Sequence, residues 1–264
     1  MPILRKCGGN ITDKTLKEEQ MLYRRFARYY DYVYAWKNYE NEIGVIKQLI
    51  YKYKKTGGNN LLEVGCGTGN YLKYLYKDFL CTGLDISPEM LRIAKKKVRG
   101  VRFVLDDMTN MKLEGKFDII LSLWGVISYA KTYANLEKTI QNFSKHLEVG
   151  GILIADPWYV TLDNKNKTQP YYKEGMPYMT TYNSVDLKIC RMRIPKRSHN
   201  RQVMDIHTLV GNRGWSEVKY FIDRYEVGLF NIDRVIQIMK HEGIKAWFKR
   251  DTIGNGTYVG VKVS

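Results

Sequence analysis

The stretch "LLEVGCGTGNY" at residues 61–71 decides the fold of this chain. Its apolar first half predicts a short buried strand, and Gly65, Gly67 and Gly69 then occupy every second position. Glycine lets the backbone turn sharply and approach a bound group without a Cβ clash. The stretch therefore predicts a strand followed by a loop that receives a phosphate or a nucleoside, or that makes only a tight turn.

Short apolar runs alternate with amphipathic segments on both sides of this stretch. The alternation indicates a parallel β-sheet with helices on both faces. Residues 13–55 are predicted to be helical and to end at "KTGGNN". The strands predicted after them are "LLEVGC", "LCTGLDI", "VRFVLDD", "FDIILSLW" and "ILIADPW", and the helices are "GNYLKYLYKD", "SPEMLRIAKKK" and "NLEKTIQNFSKHL".

The pattern changes after Trp158, where period-two alternation predicts antiparallel strands. Three such strands are predicted, at "YMTTYNSVDLKICRMRI", "RQVMDIHTLV" and "EVKYFIDRYEVGLF". A helix, "NIDRVIQIMKHEG", and a closing hairpin, "IKAWFKRD" with "TYVGVKV", follow. We divide the chain into a helical N-terminal segment (1–56), an α/β core (57–158 and 231–264) and an antiparallel β insertion (159–230).

Composition restricts the protein class less sharply. The 264 residues are 44% hydrophobic, which suits a packed core, and their net charge is +16. This charge fits a nucleic acid or another polyanion as partner, but the basic residues are scattered, which favours a lysine-rich surface without such a partner. The four Cys do not have metal-ligand spacing, so no metal is expected and a reduced, cytoplasmic protein fits best. No signal peptide or membrane span is evident.

The spacing of the glycines separates the candidate ligands. It is G-x-G-x-G, whereas a dinucleotide site has G-x-G-x-x-G. Glu63, before the loop, would repel a pyrophosphate but can engage an ammonium group. Asp85, at the end of the second strand, can accept hydrogen bonds from both ribose hydroxyls. A ligand with a ribose and a cationic end fits, and S-adenosylmethionine is such a ligand; a nicotinamide cofactor or a plain turn remains the alternative.

Two further strand ends support a nucleoside. Asp107, after the third strand, could accept from the adenine amine, and Met108 could pack on the ring. The segment "LSLWGVISYA" at 121–130 ends the fourth strand, opposite the expected methyl group. Four more residues near these strand ends are predicted to bind the same ligand: Ile86, Met90, Leu123 and Trp124.

These motifs resemble those of class I S-adenosylmethionine-dependent methyltransferases. From about residue 23 onward the chain is similar to nucleotide-sugar N,N-dimethyltransferases of the desosamine and mycaminose type. The similarity extends beyond the donor motifs to "FARYYDYVY" (26–34), "DPWY" (156–159), "MDIH" (204–207), "RYEVGLF" (224–230) and "GNGTYVGV" (254–261).

The resemblance implies a Rossmann-like seven-stranded sheet, with the β insertion after the fifth strand and a closing C-terminal hairpin. It also implies that Tyr30 closes over the methionine end of the donor, that Asp85 holds the ribose and that Asp107 and Met108 flank the adenine. The N-terminal segment would form a lid and the insertion the acceptor side.

At one position the residue differs from the one that these sugar enzymes carry. They carry a His in the loop after the fourth strand, and this chain has Tyr129 there, beside Ser128. Tyr129 and Tyr30 are therefore the candidate catalytic residues, although an aromatic stripe such as 29–39 is more often part of a core. Tyr30 and Trp124 could also stabilise a sulfonium charge by cation–π contact.

The acceptor is the least determined part of the prediction. Trp158, Tyr159, His207 and Tyr225 are the candidate substrate-binding residues, with a hinge or an ordinary sheet position as the alternative for each. A neutral amine needs no strong base for attack, which favours N-methylation of a small molecule such as an amino sugar. An RNA or protein methyltransferase, or a non-catalytic binder of the donor, remains an alternative, and a homodimer is left open.

Overall fold

A computed structural model gives the fold and describes residues 21–158, 160–162, 167–168 and 176–264. The predicted helix over 13–55 is wrong for residues 21–38. There the chain forms 3-10 turns at Met21–Tyr23 and Ala27–Tyr29 and a single helical turn, α1 (Tyr30–Val33). A regular helix, α2 (Tyr39–Tyr53), begins only where Asn38 caps it by accepting from the Asn41 backbone N–H.

The irregular N-terminal stretch follows from its aromatic residues. Phe26, Tyr29 and Tyr30 are buried against the β insertion and against Met90 of the core, so their contacts point in more directions than one helix face allows. Tertiary packing therefore overrides the helical pattern here.

The core elements that follow alternate as predicted. In chain order they are β1 (Asn60–Val64), α3 (Leu72–Leu75), β2 (Leu80–Asp85), α4 (Pro88–Lys97), β3 (Arg102–Leu105), β4 (Phe117–Ser122), a 3-10 helix (Val126–Ala130), α5 (Tyr133–His146) and β5 (Leu147–Ala155).

Two short strands, β6 (Val160–Leu162) and β7 (Lys167–Thr168), precede the insertion sheet. That sheet has four antiparallel strands rather than the three predicted: β8 (Tyr178–Asn183), β9 (Leu187–Ser198), β10 (Arg201–Asn212) and β11 (Lys219–Gly228). The segment 178–194 is a hairpin because Ser184 makes a turn, in which its hydroxyl accepts from the Leu187 backbone N–H.

The chain then returns to the core through β12 (Phe230–Asn231), α6 (Ile232–His241), β13 (Ile244–Lys249) and β14 (Thr257–Lys262). The main sheet has seven strands in the order β13-β14-β5-β4-β1-β2-β3. Strands β3, β2, β1, β4 and β5 are parallel, and the terminal hairpin adds two antiparallel strands. The predicted α/β fold with a closing hairpin is confirmed.

The order of the strands reverses between β1 and β4, and this reversal creates a crevice at their carboxyl ends. Val64 of β1 lies opposite Leu84 of β2, and Glu63 lies opposite Leu121 of β4. The three strands therefore end at one edge, where the residues that follow them come together.

Helices cover both faces of the main sheet. Phe143 of α5 and Val235 of α6 are buried on one face, and Ile46 of α2 and Leu72 of α3 on the other. The burial follows from the apolar stripe on each helix. No helix in the described ranges is long and apolar enough to cross a membrane.

Replacing Phe143 by Ala tests this packing. Its side chain is fully buried between α5 and the sheet, so we expect a loss of about 3–5 kcal/mol in the free energy of unfolding. Tyr51→Ala on the exposed side of α2 is the matched control and should change this free energy by less than about 0.5 kcal/mol. Urea denaturation followed by circular dichroism measures both, and equal losses would contradict the assignment of Phe143 to the core.

Candidate functional site

A cavity of about 440 Å³ lies at the carboxyl ends of β1, β2 and β4, and we call it the strand-end cavity. The N-terminal segment covers it with Tyr23, Tyr30 and Tyr39. Most of the residues predicted to bind the donor line it: Tyr30, Glu63, Gly65, Gly67, Asp85, Ile86, Asp107, Met108, Leu123 and Trp124.

The glycine loop has the backbone that its sequence predicts. Gly65, Gly67 and Gly69 all have positive φ angles, of 69°, 54° and 77°, which other residues rarely adopt. A Cβ on Gly65 would lie only 2.5 Å from a methyl group of Val126, so this position excludes a side chain for two reasons. Gly67 lines the cavity, and a Cβ there would meet no atom within 4 Å.

Two of the predicted donor-binding residues do not line the cavity. Gly69 lies on the far side of the loop, where its Cα packs towards Ala94 of α4, so its role is to let helix and loop approach. Met90 is fully buried beneath the N-terminal segment because it belongs to the apolar face of α4.

Asp85 joins β2 to the glycine loop. One oxygen of its carboxylate accepts from the Gly67 backbone N–H at 2.7 Å, and the other accepts from the Ser87 backbone N–H at 2.8 Å. Burial raises the pKa of Asp85, while these backbone hydrogen bonds oppose the rise. Each oxygen keeps a further lone pair, so the carboxylate can accept additional hydrogen bonds from a ligand.

Glu63 supplies a test of whether the cavity fits S-adenosylmethionine. Burial, and then the nearby charge of Asp85, raise the pKa of Glu63 well above its ordinary value. Its Oε2 is buried and has no hydrogen-bond partner among the described residues. A buried carboxylate oxygen without a partner is costly, and a cationic ligand would remove that cost. Glu63 and Asp85 together thus fit a ligand with a ribose and a cationic end.

The chain makes a turn after β3, and the sequence analysis predicted only some of the residues in it that line the cavity. Asp107 accepts from both the backbone N–H and the hydroxyl of Thr109, at 2.8 and 2.9 Å, so its orientation is fixed. Thr109, Asp106 and Asn135 also line the cavity and were missed, because their spacing relative to the glycine loop carries no recognisable signal.

A polar cluster holds the N-terminal segment over the glycine loop. Asp31 of α1 accepts from Thr68 at 2.6 Å, from Asn70 at 3.0 Å and from Lys97 of α4 at 2.6 Å. Burial opposes ionisation of Asp31, but the hydrogen bonds from Lys97 and Thr68 outweigh it and lower its pKa. The carboxylate is therefore charged near neutral pH and bridges three separate segments of the chain.

A second cavity, of about 330 Å³, lies between the main sheet and the insertion sheet, and we call it the intersheet cavity. Trp124 lines both cavities. Trp124 has a φ of 64°, and Gly125 follows with a φ of 74°; we call this pair the Trp124 turn. The predicted substrate-binding residues Trp158 and Tyr225 line the intersheet cavity, and the Tyr225 hydroxyl has no hydrogen-bond partner among the described residues.

Two other predicted substrate-binding residues are not placed in this cavity. His207 is exposed on the outer face of β10, where it stacks on Tyr220. The even-numbered residues of β10, such as Met204 and Ile206, face the cavity, so an odd-numbered position faces outward. Tyr159 lies outside the described residues.

The two tyrosines predicted to be catalytic line the strand-end cavity, but they are poor proton acceptors. The hydroxyls of Tyr129 and Tyr23 form a hydrogen bond of 2.7 Å. Burial raises the pKa of Tyr129 and of Tyr30 well above the ordinary value, so both stay protonated at neutral pH. Their hydroxyls can orient a ligand, but they offer no anionic oxygen to collect a proton.

Several residues that line the intersheet cavity were not predicted from the sequence. Arg191 is 2% exposed, and its Nε has no hydrogen-bond partner among the described residues. It occupies an inward position of β9 in a strand of alternating pattern, where a buried arginine is not expected. Asp156 and Asn255 also line the cavity; Asp156 belongs to the "DPWY" motif, which was the available signal.

Comparison with known proteins agrees with this architecture. Residues 61–151 match the family described as "Methyltransferase domain". Over 239 residues the chain is 27% identical to the dTDP-3-amino-3,4,6-trideoxy-alpha-D-glucopyranose N,N-dimethyltransferase of Streptomyces venezuelae, covering 89% of this chain and 97% of that protein. The chain is 23% identical over 241 residues to the dTDP-3-amino-3,6-dideoxy-alpha-D-glucopyranose N,N-dimethyltransferase of Streptomyces fradiae, covering 89% and 90%.

Solved structures extend the similarity to the fold. The sugar N-methyltransferase KedS8 from Streptoalloteichus superimposes with a TM-score of 0.79 at 23% identity, over 90% of this chain and 93% of that chain. DesVI of Streptomyces venezuelae superimposes with a TM-score of 0.74 at 25% identity, over 90% and 94%.

The protein is therefore an enzyme of the S-adenosylmethionine-dependent methyltransferase class, and S-adenosylmethionine is its methyl donor. Within that class the chain is similar to amino-sugar N,N-dimethyltransferases, as the sequence predicted. Among the described residues, no group of three His, Cys, Asp or Glu side chains could hold a metal ion.

Asp85→Asn tests the ribose assignment. The amide offers one uncharged acceptor where the carboxylate offers two, and hydrogen bonds to charged groups contribute about 1.5–3 kcal/mol. We expect the Kd of S-adenosylmethionine, measured by calorimetry, to rise by about thirty-fold or more. Asp78→Asn, which changes a carboxylate outside the cavity, is the control and should leave the Kd unchanged. A Kd for Asp85→Asn within about threefold of the wild type would refute the assignment.

Proposed function

We propose that the enzyme transfers methyl groups from S-adenosylmethionine to the nitrogen of an amino sugar that carries an anionic group, such as a nucleotide diphosphate. The observation that carries the proposal is the position of the intersheet cavity, which shares the lining residue Trp124 with the strand-end cavity. An acceptor bound there would lie beside the donor, and methyl transfer depends mainly on such alignment.

In this proposal each residue of the strand-end cavity has one task. Glu63 faces the cationic methionine end, Asp85 holds the ribose, and Asp107 with Met108 flanks the adenine. Tyr30 covers the donor from the N-terminal segment. Binding energy from these contacts would orient the donor so that its electrophilic methyl group points towards the intersheet cavity.

The intersheet cavity has the chemistry that a charged sugar requires. Arg191 is buried with a free Nε, and Arg193 lines the same cavity. Guanidinium groups bind phosphates through paired N–H donors. The unpartnered Tyr225 hydroxyl and the Trp158 ring supply a hydrogen-bonding group and an apolar face, both of which suit a sugar.

The domain organisation fits the same division of tasks. The α/β core (57–158 and 231–264) would bind the donor, the N-terminal segment (1–56) would act as its lid, and the insertion (159–230) would form the acceptor side. All four insertion strands contribute residues to the intersheet cavity, among them Thr180 of β8 and Tyr225 of β11. A cavity of about 330 Å³ suits a compact acceptor better than a nucleic acid.

A labelled-donor assay with three acceptors in parallel tests the proposal. We expect transfer to a dTDP-3-amino sugar, with products that carry one and two added methyl groups by mass spectrometry. A simple amine without a nucleotide should react with a much higher KM, and bulk RNA should acquire no label. Label in RNA alone would overturn the proposal, and label in no acceptor would indicate a protein that binds the donor without turnover.

Arg191→Met tests the anionic recognition separately. Removing one partner of a buried charge pair costs about 2–5 kcal/mol, so we expect KM for the nucleotide-linked amine to rise by about thirty-fold or more. The KM for a neutral amine and the Kd of the donor should be unchanged. Arg213→Met, which alters an exposed arginine outside both cavities, is the control. An equal rise in KM for both amines would show that Arg191 recognises no anionic group.

A further inference from the structure

We propose that Asp156 is the catalytic group that accepts the proton from the acceptor nitrogen, an assignment that rests on the proposed N-methylation. Asp156 directly follows β5 and lines the intersheet cavity. Its backbone N–H donates to the Ser122 carbonyl at the end of β4, so the residue is anchored at the same sheet edge as the donor-binding loops.

The carboxylate of Asp156 is aimed at the boundary between the two cavities. It accepts from the backbone N–H of Trp124 at 2.6 Å and from that of Gly125 at 3.2 Å. Each of its oxygens uses one acceptor position in this way and keeps another. The group that holds the Trp124 turn therefore also presents lone pairs at the place where donor and acceptor would meet.

The other side chains of the intersheet cavity are less suited to accept a proton. Among the described residues that line it, the only other carboxylate is Glu42. Glu42 forms an ion pair of 2.9 Å with Lys37 and accepts from the Tyr71 hydroxyl at 2.5 Å. The Tyr225 hydroxyl is buried, and burial raises its pKa well above the ordinary value, so it stays protonated.

The electrostatic surroundings suit a proton acceptor that works near neutral pH. Burial raises the pKa of Asp156 to about 7, and the charge of Glu42 adds to the rise. The ammonium of Lys37 and the two backbone N–H groups oppose it. Tyr71 faces the same region from the glycine loop, and Arg191 and Arg193 face it from β9. A base with a pKa near the working pH is the most effective one.

The proton transfer prepares the amine for attack. The N–H bond of the acceptor ammonium breaks, its electron pair stays on nitrogen, and an O–H bond forms on Asp156. The nitrogen lone pair then forms a bond to the methyl carbon while the carbon–sulfur bond breaks, with its electron pair going to the neutral thioether. Asp156 must release its proton to water before a second methylation, which fits its position in a cavity rather than in the core.

The pH dependence of kcat/KM tests the proposal. Because burial raises the pKa of Asp156 to about 7, its ionised fraction decreases as the pH drops through 7, and wild-type kcat/KM for a basic amino sugar should fall with it. Asp156→Asn should lose about a hundredfold in kcat/KM, in the range of a missing general base. The pH below which its kcat/KM falls should move up to the pKa of the acceptor amine itself, because the variant can use only amine that is already neutral in solution. Asp205→Asn, which changes a half-buried carboxylate of β10 that lines neither cavity, is the control and should behave like the wild type.

A second acceptor separates proton transfer from a structural role. An alkoxyamine sugar is weakly basic and already neutral at pH 7, so it needs no deprotonation before attack. We expect the loss caused by Asp156→Asn to shrink to about tenfold or less with this acceptor, and the wild type to lose its dependence near pH 7. Equal losses with both acceptors would overturn the proposal and assign Asp156 only to the Trp124 turn.

The wild type by itself also tests the proposal. If Asp156→Asn fails to bind S-adenosylmethionine, the pH profiles of wild-type kcat/KM with the amino sugar and with the alkoxyamine sugar are compared instead. The same profile with both acceptors would overturn the proposal. Activity of the wild type on any amine tests the proposed function itself. A wild type that methylates amino sugars, combined with an Asp156→Asn variant of nearly full activity, refutes only the role of Asp156.

Discussion

The hydrogen bond between the Gly67 backbone N–H and the Asp85 carboxylate is the contact on which the shape of the strand-end cavity depends. It joins the loop after β1 to the end of β2, so two parallel strands share one ligand-binding edge. The positive φ angles of the loop make this approach feasible, and Asp85 remains able to accept from a ligand. Because the strand order reverses beside β1, the same edge opens into a cavity rather than a groove.

The insertion sheet adds a second cavity, the intersheet cavity, beside the strand-end cavity. Its inner face packs on the N-terminal segment, and the space left between the sheets meets the strand-end cavity at Trp124. The left-handed Trp124 turn is held by Asp156, so the residue that shapes the boundary also brings a carboxylate to it. A strained backbone at such a boundary is a common property of functional sites.

The sequence predicted the strands of the core well because each is a short apolar run bounded by glycine, proline or a capping residue. It failed at the N-terminal segment, where Phe26 and Tyr30 pack in several directions and break the helical pattern. It also could not assign His207 to the outer face of β10, because the register of the insertion sheet depends on which face is buried.

The sequence by itself determined the glycine loop, the acidic strand ends and, through them, the methyl-donor class, because these features depend on local backbone geometry and short spacing. Only the tertiary structure decided which residues line the intersheet cavity. Asp156 follows a strand of the main sheet and Arg191 lies 35 positions later on the insertion sheet, yet they line one cavity. Their burial and their electrostatic surroundings exist only after the two sheets pack together, and the "DPWY" motif marks Asp156 without indicating that Arg191 lies near it.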